Sequence, residues 1–206
     1  MTDRRVITVL TTLFFCAFAL PAALSVLSIT IIPDIRGIST TLGVRAALAV
    51  LLAVLGISGI PADRTSMGWR RPGIGDALPA LGLTAATLGL GLLFPAKAVP
   101  LPSAGGAVFA LSAVLVIVSA IAEELFFRSW LLRSLPVMGF STGGAVFLST
   151  VLFAFIHAGG GWSSVLFAGI AGLLYAMVFL RRGNLWIILA AHVLHNTLAF
   201  ALHSAA

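Results

Sequence analysis

Long apolar segments alternate with short polar or Pro/Gly-rich connections along this chain. A helix needs about 20 apolar residues to cross a bilayer, and seven segments approach or exceed that length. They cover residues 6–32, 43–60, 77–94, 106 to about 135, 141–157, 162–180 and 185–203. The pattern predicts an all-α polytopic membrane bundle of about seven spans.

The connections are too short to hold a separate soluble domain, so the chain is interpreted as one membrane domain, 1–206. Within it, residues 1–105 would form an N-terminal three-span part and residues 106–206 the core with the candidate chemistry. The N-terminus resembles a signal peptide, since Arg4 and Arg5 precede an apolar run. That run continues through Ile32, which favours a retained first span.

Composition and charge agree with a membrane protein. The 206 residues are 60% hydrophobic and 9% charged, whereas soluble domains carry about 25% charged residues. If the N-terminus is cytoplasmic, most basic residues fall on that side, and only Arg36, Arg45 and Lys97 fall on the other. This asymmetry follows the positive-inside rule. It predicts a multi-pass protein of the cell membrane with a cytoplasmic N-terminus, and argues against a nucleic-acid partner.

Two adjacent acidic residues, Glu123 and Glu124, stand inside the apolar run that begins at residue 106. The other acidic residues all lie at the chain start or in polar connections. A carboxylate in hydrocarbon costs about 2.5–3.5 kcal/mol even on the lenient insertion scale. The pair therefore indicates a functional site.

Helical geometry separates the roles of the two glutamates. Neighbours on a helix point about 100° apart, so they cannot face one cavity equally. Glu124 and Arg128 are four residues apart, the spacing that favours an ion pair on one face. The simplest interpretation pairs Glu124 with Arg128 and leaves Glu123 available for chemistry. The alternative is an ion network at a helix end, facing the cytoplasm.

Further polar groups lie in the later apolar segments. His157 closes the fifth, while His192 and Asn196 are four residues apart in the seventh and project from one face. A pairing of His192 with His195, three residues on, is a rival interpretation.

These groups can lie at the same depth in the membrane only if the fourth helix is long enough. If that helix ended at Arg128, the glutamates would lie at the cytoplasmic surface and His157 across the membrane. The residues from Arg128 to Pro136 remain compatible with a helix. We therefore expect the helix to continue towards Pro136, which would bring the polar groups together within the membrane.

Three short motifs in this half of the chain resemble those of one protease family. The motifs are EExxxR at Glu123, Glu124 and Arg128, FxxxH at Phe153 and His157, and HxxxN at His192 and Asn196. In order and on separate segments, they resemble the CAAX-protease and bacteriocin-processing (CPBP, or Abi) family of intramembrane proteases, which includes the CAAX prenyl protease 2 type. The resemblance covers about residues 108–200.

The resemblance implies an endopeptidase that cleaves a membrane-associated or prenylated protein or peptide at the bilayer. By that analogy Glu123 activates the attacking water, and His157, His192 and Asn196 complete the site. Glu123, His157 and His192 would also suit a catalytic zinc with an open position. Asparagine is an uncommon zinc ligand and a good oxyanion donor, which slightly favours a metal-independent reaction.

Two other functions compete with the enzyme. Intramembrane glutamate and histidine also mark ion paths in proton-coupled transporters, but the first three segments hold few polar groups and show no paired broken helices. A non-catalytic bacteriocin-immunity or scaffolding protein would need no intact motif set. The three motifs together therefore favour the protease.

Overall fold

The computed structural model describes residues 68–95, 106–137, 139–158 and 161–205. Within these ranges the chain is helical and contains no strand, which confirms the all-α class. The helices are α1 (Ile74–Leu93), α2 (Gly106–Glu124), a π-helical segment (Leu125–Leu131), α3 (Leu132–Val137), α4 (Thr142–Phe155), α5 (Trp162–Arg182) and α6 (Leu185–Ala205). The first two predicted segments, 6–32 and 43–60, lie outside the described residues, so the count of seven spans stays a prediction.

The outer surface of these helices suits a lipid environment. Helices α1, α5 and the Leu185–Leu202 part of α6 are long and apolar enough to cross a membrane, and α4 is apolar but shorter. Large apolar side chains are exposed on them: Leu92 is 85% exposed, Phe147 69% and Trp162 79%. Extended apolar surface of this kind marks contact with a membrane. The described part of the chain is that of a membrane protein.

Helical structure continues without a break from residue 106 to residue 137, through α2, the π-helical segment and α3. The helix therefore runs past Arg128 and includes Pro136, as the site requires. The π-helical segment follows Glu124 directly, and its Phe127 carbonyl accepts a hydrogen bond from Ser149 Oγ of α4 at 3.0 Å. Single turns of π-helix are often found at functional sites, and here the Ser149 bond ties that turn to α4.

Helix α4 is shorter than predicted at its C-terminal end. Ser141 caps its start by accepting a hydrogen bond from the Gly144 N–H at 3.1 Å. Its last residue is Phe155, because the His157 N–H bonds only three residues back, to Ala154 O at 3.0 Å. His157 therefore lies in the turn that follows α4, where helix-end carbonyls still need donors.

The helices pack so that the ends of α2 and α4 approach the middle of α6. Helix α4 lies along α5, and α6 packs against both α1 and α2. An aromatic core fills the space among them, formed by Phe126, Phe127, Trp130, Phe153, Tyr175 and Phe179. This packing brings three segments that are distant in sequence to one buried place.

One polar contact fastens the start of α1 to the turn between α5 and α6. Asp76 Oδ2 accepts hydrogen bonds from the Gly73 N–H and from Asn184 Nδ2, each at 2.8 Å. Gly183 ends α5 with a φ of 61°, a left-handed conformation that favours glycine. The sharp turn that Gly183 permits places Asn184 within reach of Asp76.

We expect the substitution Asp76→Ala to destabilise the protein by about 1–2 kcal/mol, because it leaves the buried Asn184 amide without its acceptor. Thermal unfolding in detergent micelles would show a lower midpoint. Asp76→Asn keeps a side-chain oxygen that can accept both hydrogen bonds, so this variant should lose less stability. An Asp76→Ala protein that unfolds at the wild-type temperature would contradict this role.

Candidate active site

The two glutamates end α2 and are both buried, with Glu123 1% and Glu124 0% exposed. Arg128 is also fully buried, and its Nη1 donates to Glu124 Oε1 at 3.1 Å. The predicted pairing of Glu124 with Arg128 is therefore present. Arg128 Nη2 donates to the Gly172 carbonyl of α5 at 3.1 Å. These contacts compensate part of the large cost of burying the three charges.

Aromatic rings provide further compensation for the buried guanidinium. The Arg128 Cζ atom lies 4.2 Å from the ring centre of Phe153, 5.4 Å from that of Tyr175 and 5.8 Å from that of Phe127. The negative face of an aromatic ring attracts a cation, and more strongly where water is excluded. Helices α4 and α5 thus both help to hold Arg128 in place.

Glu124 also contacts His192 on α6. The Nδ1 atom of His192 lies 2.7 Å from Glu124 Oε1, the oxygen that already accepts from Arg128. Because that oxygen is an acceptor, Nδ1 of His192 carries a proton and donates it. The contact fixes the orientation of the ring and directs the opposite nitrogen, Nε2, towards Glu123.

His157 is oriented by a backbone group. Its Nδ1 lies 2.8 Å from the carbonyl oxygen of Phe153, one turn earlier. A carbonyl oxygen can only accept, so Nδ1 is the protonated nitrogen and Nε2 of a neutral ring carries a lone pair. The histidine thereby donates to one of the carbonyl oxygens that have no partner within the end of α4. Its Nε2 faces the site.

Glu123 lies close to both of these histidines. Its Oε1 accepts a hydrogen bond from Ser119 Oγ, one turn earlier on α2, at 3.0 Å. Its Oε2 lies 3.8 Å from His157 Nε2 and 3.9 Å from His192 Nε2. These separations exceed a direct hydrogen bond and suit groups that share a small bridging molecule such as water. The structure therefore brings Glu123, His157 and His192 together.

Asn196 and His195 lie on the same helix as His192 but do not share its contacts. Asn196 lies one turn beyond His192 and is half-buried. In the described part of the chain its side chain makes no hydrogen bond to the glutamates or to the other site residues. The ring of His195 stacks on Phe167, with the ring centres 5.3 Å apart. His192 thus contacts Glu124, whereas His195 packs elsewhere.

Three residues at the site were missed by the sequence analysis. Ser119 is four residues before Glu123, and the same helical spacing that paired Glu124 with Arg128 would have found it. Tyr175 is the single tyrosine of the chain and stands in an apolar segment, which is a weak signal. Gly172 contributes only its carbonyl and its lack of a side chain, so nothing in its sequence position marked it.

The donor types at Glu123, His157 and His192 fit zinc, and the distances from Glu123 Oε2 are slightly longer than the separations between zinc ligands. Four-coordinate zinc with bonds of about 2.0–2.1 Å brings its ligand atoms to about 3.4 Å from one another, closer than the 3.8 and 3.9 Å measured from Glu123 Oε2. Among the residues that the structure describes, no group of three or more His, Cys, Asp or Glu side chains is arranged to hold a metal ion.

The fold and the site together define an all-helical membrane protein with a buried cluster of carboxylates and histidines. Comparison with known families bears on the kind of protein. Residues 105–198 match the Rce1-like family model, described as type II CAAX prenyl endopeptidase Rce1-like. The match confirms the family resemblance of this part of the chain and supports an endopeptidase of the general CAAX protease type. No curated protein and no solved structure matches the chain.

We expect Gly172→Ala to lower both stability and activity. A Cβ atom there would lie 2.9 Å from Phe153 Cδ1 and 3.3 Å from Arg128 Nη2, so the residues that hold the ion pair would have to move. Such overpacking costs about 1–3 kcal/mol. Thermal unfolding and a peptide-cleavage assay would measure both effects.

Gly169→Ala, three residues earlier on α5, is the matched control. Its Cβ would meet only Ala154 Cβ, at 3.6 Å, an ordinary contact. Alanine also favours helix over glycine by about 1 kcal/mol, so this variant should be at least as stable as the wild type. Equal behaviour of the two variants would show that Gly172 imposes no steric requirement.

Proposed function

We propose that this protein is an intramembrane endopeptidase that hydrolyses a peptide bond in a membrane-associated or prenylated protein or peptide. The observation that carries the proposal is the position of Glu123 Oε2, buried and within 4 Å of the Nε2 atoms of both His157 and His192. A carboxylate and two oriented imidazoles around one point can hold and activate a water molecule.

In the first step the Glu123 carboxylate takes a proton from this water, and the water oxygen bonds to the carbonyl carbon of the scissile peptide. The Nε2 lone pair of His157 accepts the other water hydrogen and orients the molecule. In the second step the carbon–nitrogen bond breaks, and Glu123 returns its proton to the leaving amine. One water is consumed: one of its hydrogens passes through Glu123 to the leaving amine and the other stays on the new carboxyl group, so the products are a carboxylic acid and an amine.

The remaining groups act on the carbonyl oxygen. His192 donates through Nδ1 to Glu124, whose carboxylate orients the ring as the aspartate does in serine protease triads. A proton carried on His192 Nε2 would be donated to the oxyanion as negative charge develops. The side-chain amide of Asn196 serves as a second donor. Arg128 keeps Glu124 in place and acts without contacting the substrate.

This mechanism needs no metal. Should the protein bind zinc after a local movement, Glu123, His157 and His192 would be its ligands, and the metal would supply Lewis-acid activation of water. The partners implied in either case are a membrane protein or peptide substrate and the lipid bilayer.

We also propose that the chain crosses the cell membrane several times with a cytoplasmic N-terminus. The support is the asymmetry of basic residues along the sequence. The described helices agree with it, since Arg181 and Arg182 end α5 next to Asn184, which is hydrogen-bonded to Asp76 at the start of α1. That end of the bundle would face the cytoplasm.

The substitution Glu123→Gln is expected to lower kcat by about 10²–10⁴-fold, the usual contribution of a general base. An internally quenched, farnesylated peptide with a CAAX-type C-terminus would report cleavage by the purified protein in micelles. Asp76→Asn makes the same chemical change away from the site and should retain kcat.

Wild-type cleavage by the Glu123→Gln protein would exclude the proposed mechanism. Proton-driven uptake by liposomes containing the wild-type protein, abolished by the same substitution, would indicate a transporter instead. A cellular phenotype that survives Glu123→Gln but not deletion of the protein would indicate scaffolding.

We further expect chelators to leave the cleavage rate unchanged and the purified active protein to contain far less than one zinc per chain. Elemental analysis and assays with and without a chelator such as 1,10-phenanthroline would measure this. Stoichiometric zinc, together with activity that is lost on chelation and restored by zinc, would overturn the metal-independent mechanism.

A further inference from the structure

Arginine side chains are concentrated at the end of the bundle where α1 begins and α5 ends. Within the described ranges, every arginine except the buried Arg128 belongs to this end. They are Arg70 and Arg71 before α1, Arg133 in α3, and Arg181 and Arg182 at the end of α5. The acidic residues of the same ranges are Asp76, at this end, and the two glutamates of the active site. The described part of this end therefore carries an excess of positive charge.

A backbone contact fixes the residues before α1 against the turn between α5 and α6. The Leu185 N–H donates to the carbonyl oxygen of Gly68 at 2.9 Å. Gly68 has a φ of 81°, and a Cβ atom there would lie 2.5 Å from Cε2 of Phe179 on α5. Only glycine suits this conformation and this close approach. The path that Gly68 permits carries the chain over the turn, where Arg70 follows.

The guanidinium groups of Arg70 and Arg133 lie at this same turn. A Cβ atom added to Gly183 would be 3.4 Å from Arg70 Nη2 and 3.5 Å from its Cζ, so the Arg70 side chain covers that glycine. The Cζ atom of Arg133 lies 4.8 Å from the ring centre of Phe179, and the Phe179 carbonyl accepts from the Gly183 N–H at 2.8 Å. The two positive charges are near enough to repel each other. Like charges at short range are unfavourable unless an anion compensates them.

Neither guanidinium has an acidic partner among the residues that the structure describes. Asp76 Oδ2 accepts from the Gly73 N–H and from Asn184 Nδ2, and Asp76 forms no ion pair with either arginine. The Nε atom of Arg133 is buried and makes no hydrogen bond within the described part of the chain. A buried donor without an acceptor is costly. These observations indicate that a bound anion completes the arrangement.

A pair of tryptophans gives the depth of this region in the bilayer. Trp69 and Trp186 are 38% and 40% exposed, and their rings meet edge to face with the centres 6.0 Å apart. Partly exposed tryptophans are enriched at the membrane–water interface, at the level of the lipid headgroups. Because Trp69 directly precedes Arg70, the Arg70 guanidinium lies at the depth of the lipid phosphates. Guanidinium groups bind phosphate oxygens through paired hydrogen bonds.

We propose that Arg70 and Arg133 form a binding site for the phosphate group of an anionic phospholipid such as phosphatidylglycerol. The lipid's negative charge compensates the two guanidinium groups, and its acyl chains keep the phosphate at the depth that the tryptophan pair marks. Free phosphate has the same headgroup chemistry but lacks that anchor. The site lies at one end of the bundle and does not depend on the proposed catalytic function.

Tryptophan fluorescence can measure the binding, since a brominated lipid quenches the tryptophans that it contacts. The test uses a Trp162→Phe background, because Trp162 is 79% exposed at the start of α5, whereas Trp130 is buried. In micelles of an uncharged detergent, brominated phosphatidylglycerol should quench Trp69 and Trp186 at about tenfold lower concentration than brominated phosphatidylcholine. The second lipid has no net charge and serves as the reference.

The double variant Arg70→Gln/Arg133→Gln should lose this preference, so that the two lipids quench at concentrations within about twofold of each other. Arg71→Gln/Arg182→Gln is the matched control, because it removes the same charge from the same end of the bundle and leaves the two guanidinium groups at the turn. It should keep the wild-type preference. Thermal unfolding would show whether each variant is folded.

Arg70→Gln alone keeps the test decisive if the double variant does not fold, since the Arg70 side chain is exposed. It should raise the phosphatidylglycerol concentration needed for quenching by about fivefold, and Arg71→Gln should not. Equal quenching of the wild type by both lipids would overturn the proposal. A preference lost equally in both double variants would also overturn it, since general surface charge would then explain the binding.

A further arm distinguishes a lipid from free phosphate. Sodium phosphate and sodium chloride at equal ionic strength should weaken lipid quenching equally. Stronger competition by phosphate would show a site for the free ion and overturn the lipid assignment. None of these measurements involves cleavage, so their outcome and that of Glu123→Gln are separate.

Discussion

The buried contact between Arg128 and Glu124 is the interaction on which the rest of the site depends. Both side chains are fully buried, and removing one partner would leave an uncompensated charge, which typically costs about 3–5 kcal/mol. The same carboxylate oxygen that accepts from Arg128 also receives the proton of His192 Nδ1. One ion pair therefore stabilises the bundle and orients a histidine.

The surrounding structure is arranged to make that pair tolerable in an apolar interior. The Gly172 carbonyl accepts from Arg128, and Phe153 and Tyr175 place ring faces against the guanidinium. Backbone groups at membrane depth must likewise find internal partners. His157 donates to the carbonyl of Phe153, and Ser149 donates to a carbonyl in the π-helical segment. These hydrogen bonds keep Glu123 and the histidines in a defined arrangement.

The two adjacent carboxylates differ in the side chains that contact them. Glu124 is held by Arg128 and His192, whereas Glu123 is held at one oxygen by Ser119 and turns the other towards His157 and His192. Adjacent residues on a helix point in different directions, so one turn of α2 supplies a carboxylate that contacts Arg128 and another that faces the two histidines. Helix α1, outside the segment that matches the family, also contacts α6 beside His192, because Thr84 Oγ1 lies 3.3 Å from the carbonyl oxygen of Ala191.

The sequence alone determined the all-helical membrane class, the bounds of most described helices and the pairing of Glu124 with Arg128. These follow from local rules, since apolar length and the spacing of residues on one helix need no knowledge of the fold. It also selected Glu123, His157 and His192, because ionisable groups are costly in apolar segments.

Only the tertiary structure decided how these residues meet. The bond between His192 and Glu124 and the contributions of Tyr175 and Gly172 to the burial of Arg128 all join helices that are far apart in the chain. Contacts of that kind depend on how helices pack against one another, and no spacing within a single segment encodes them.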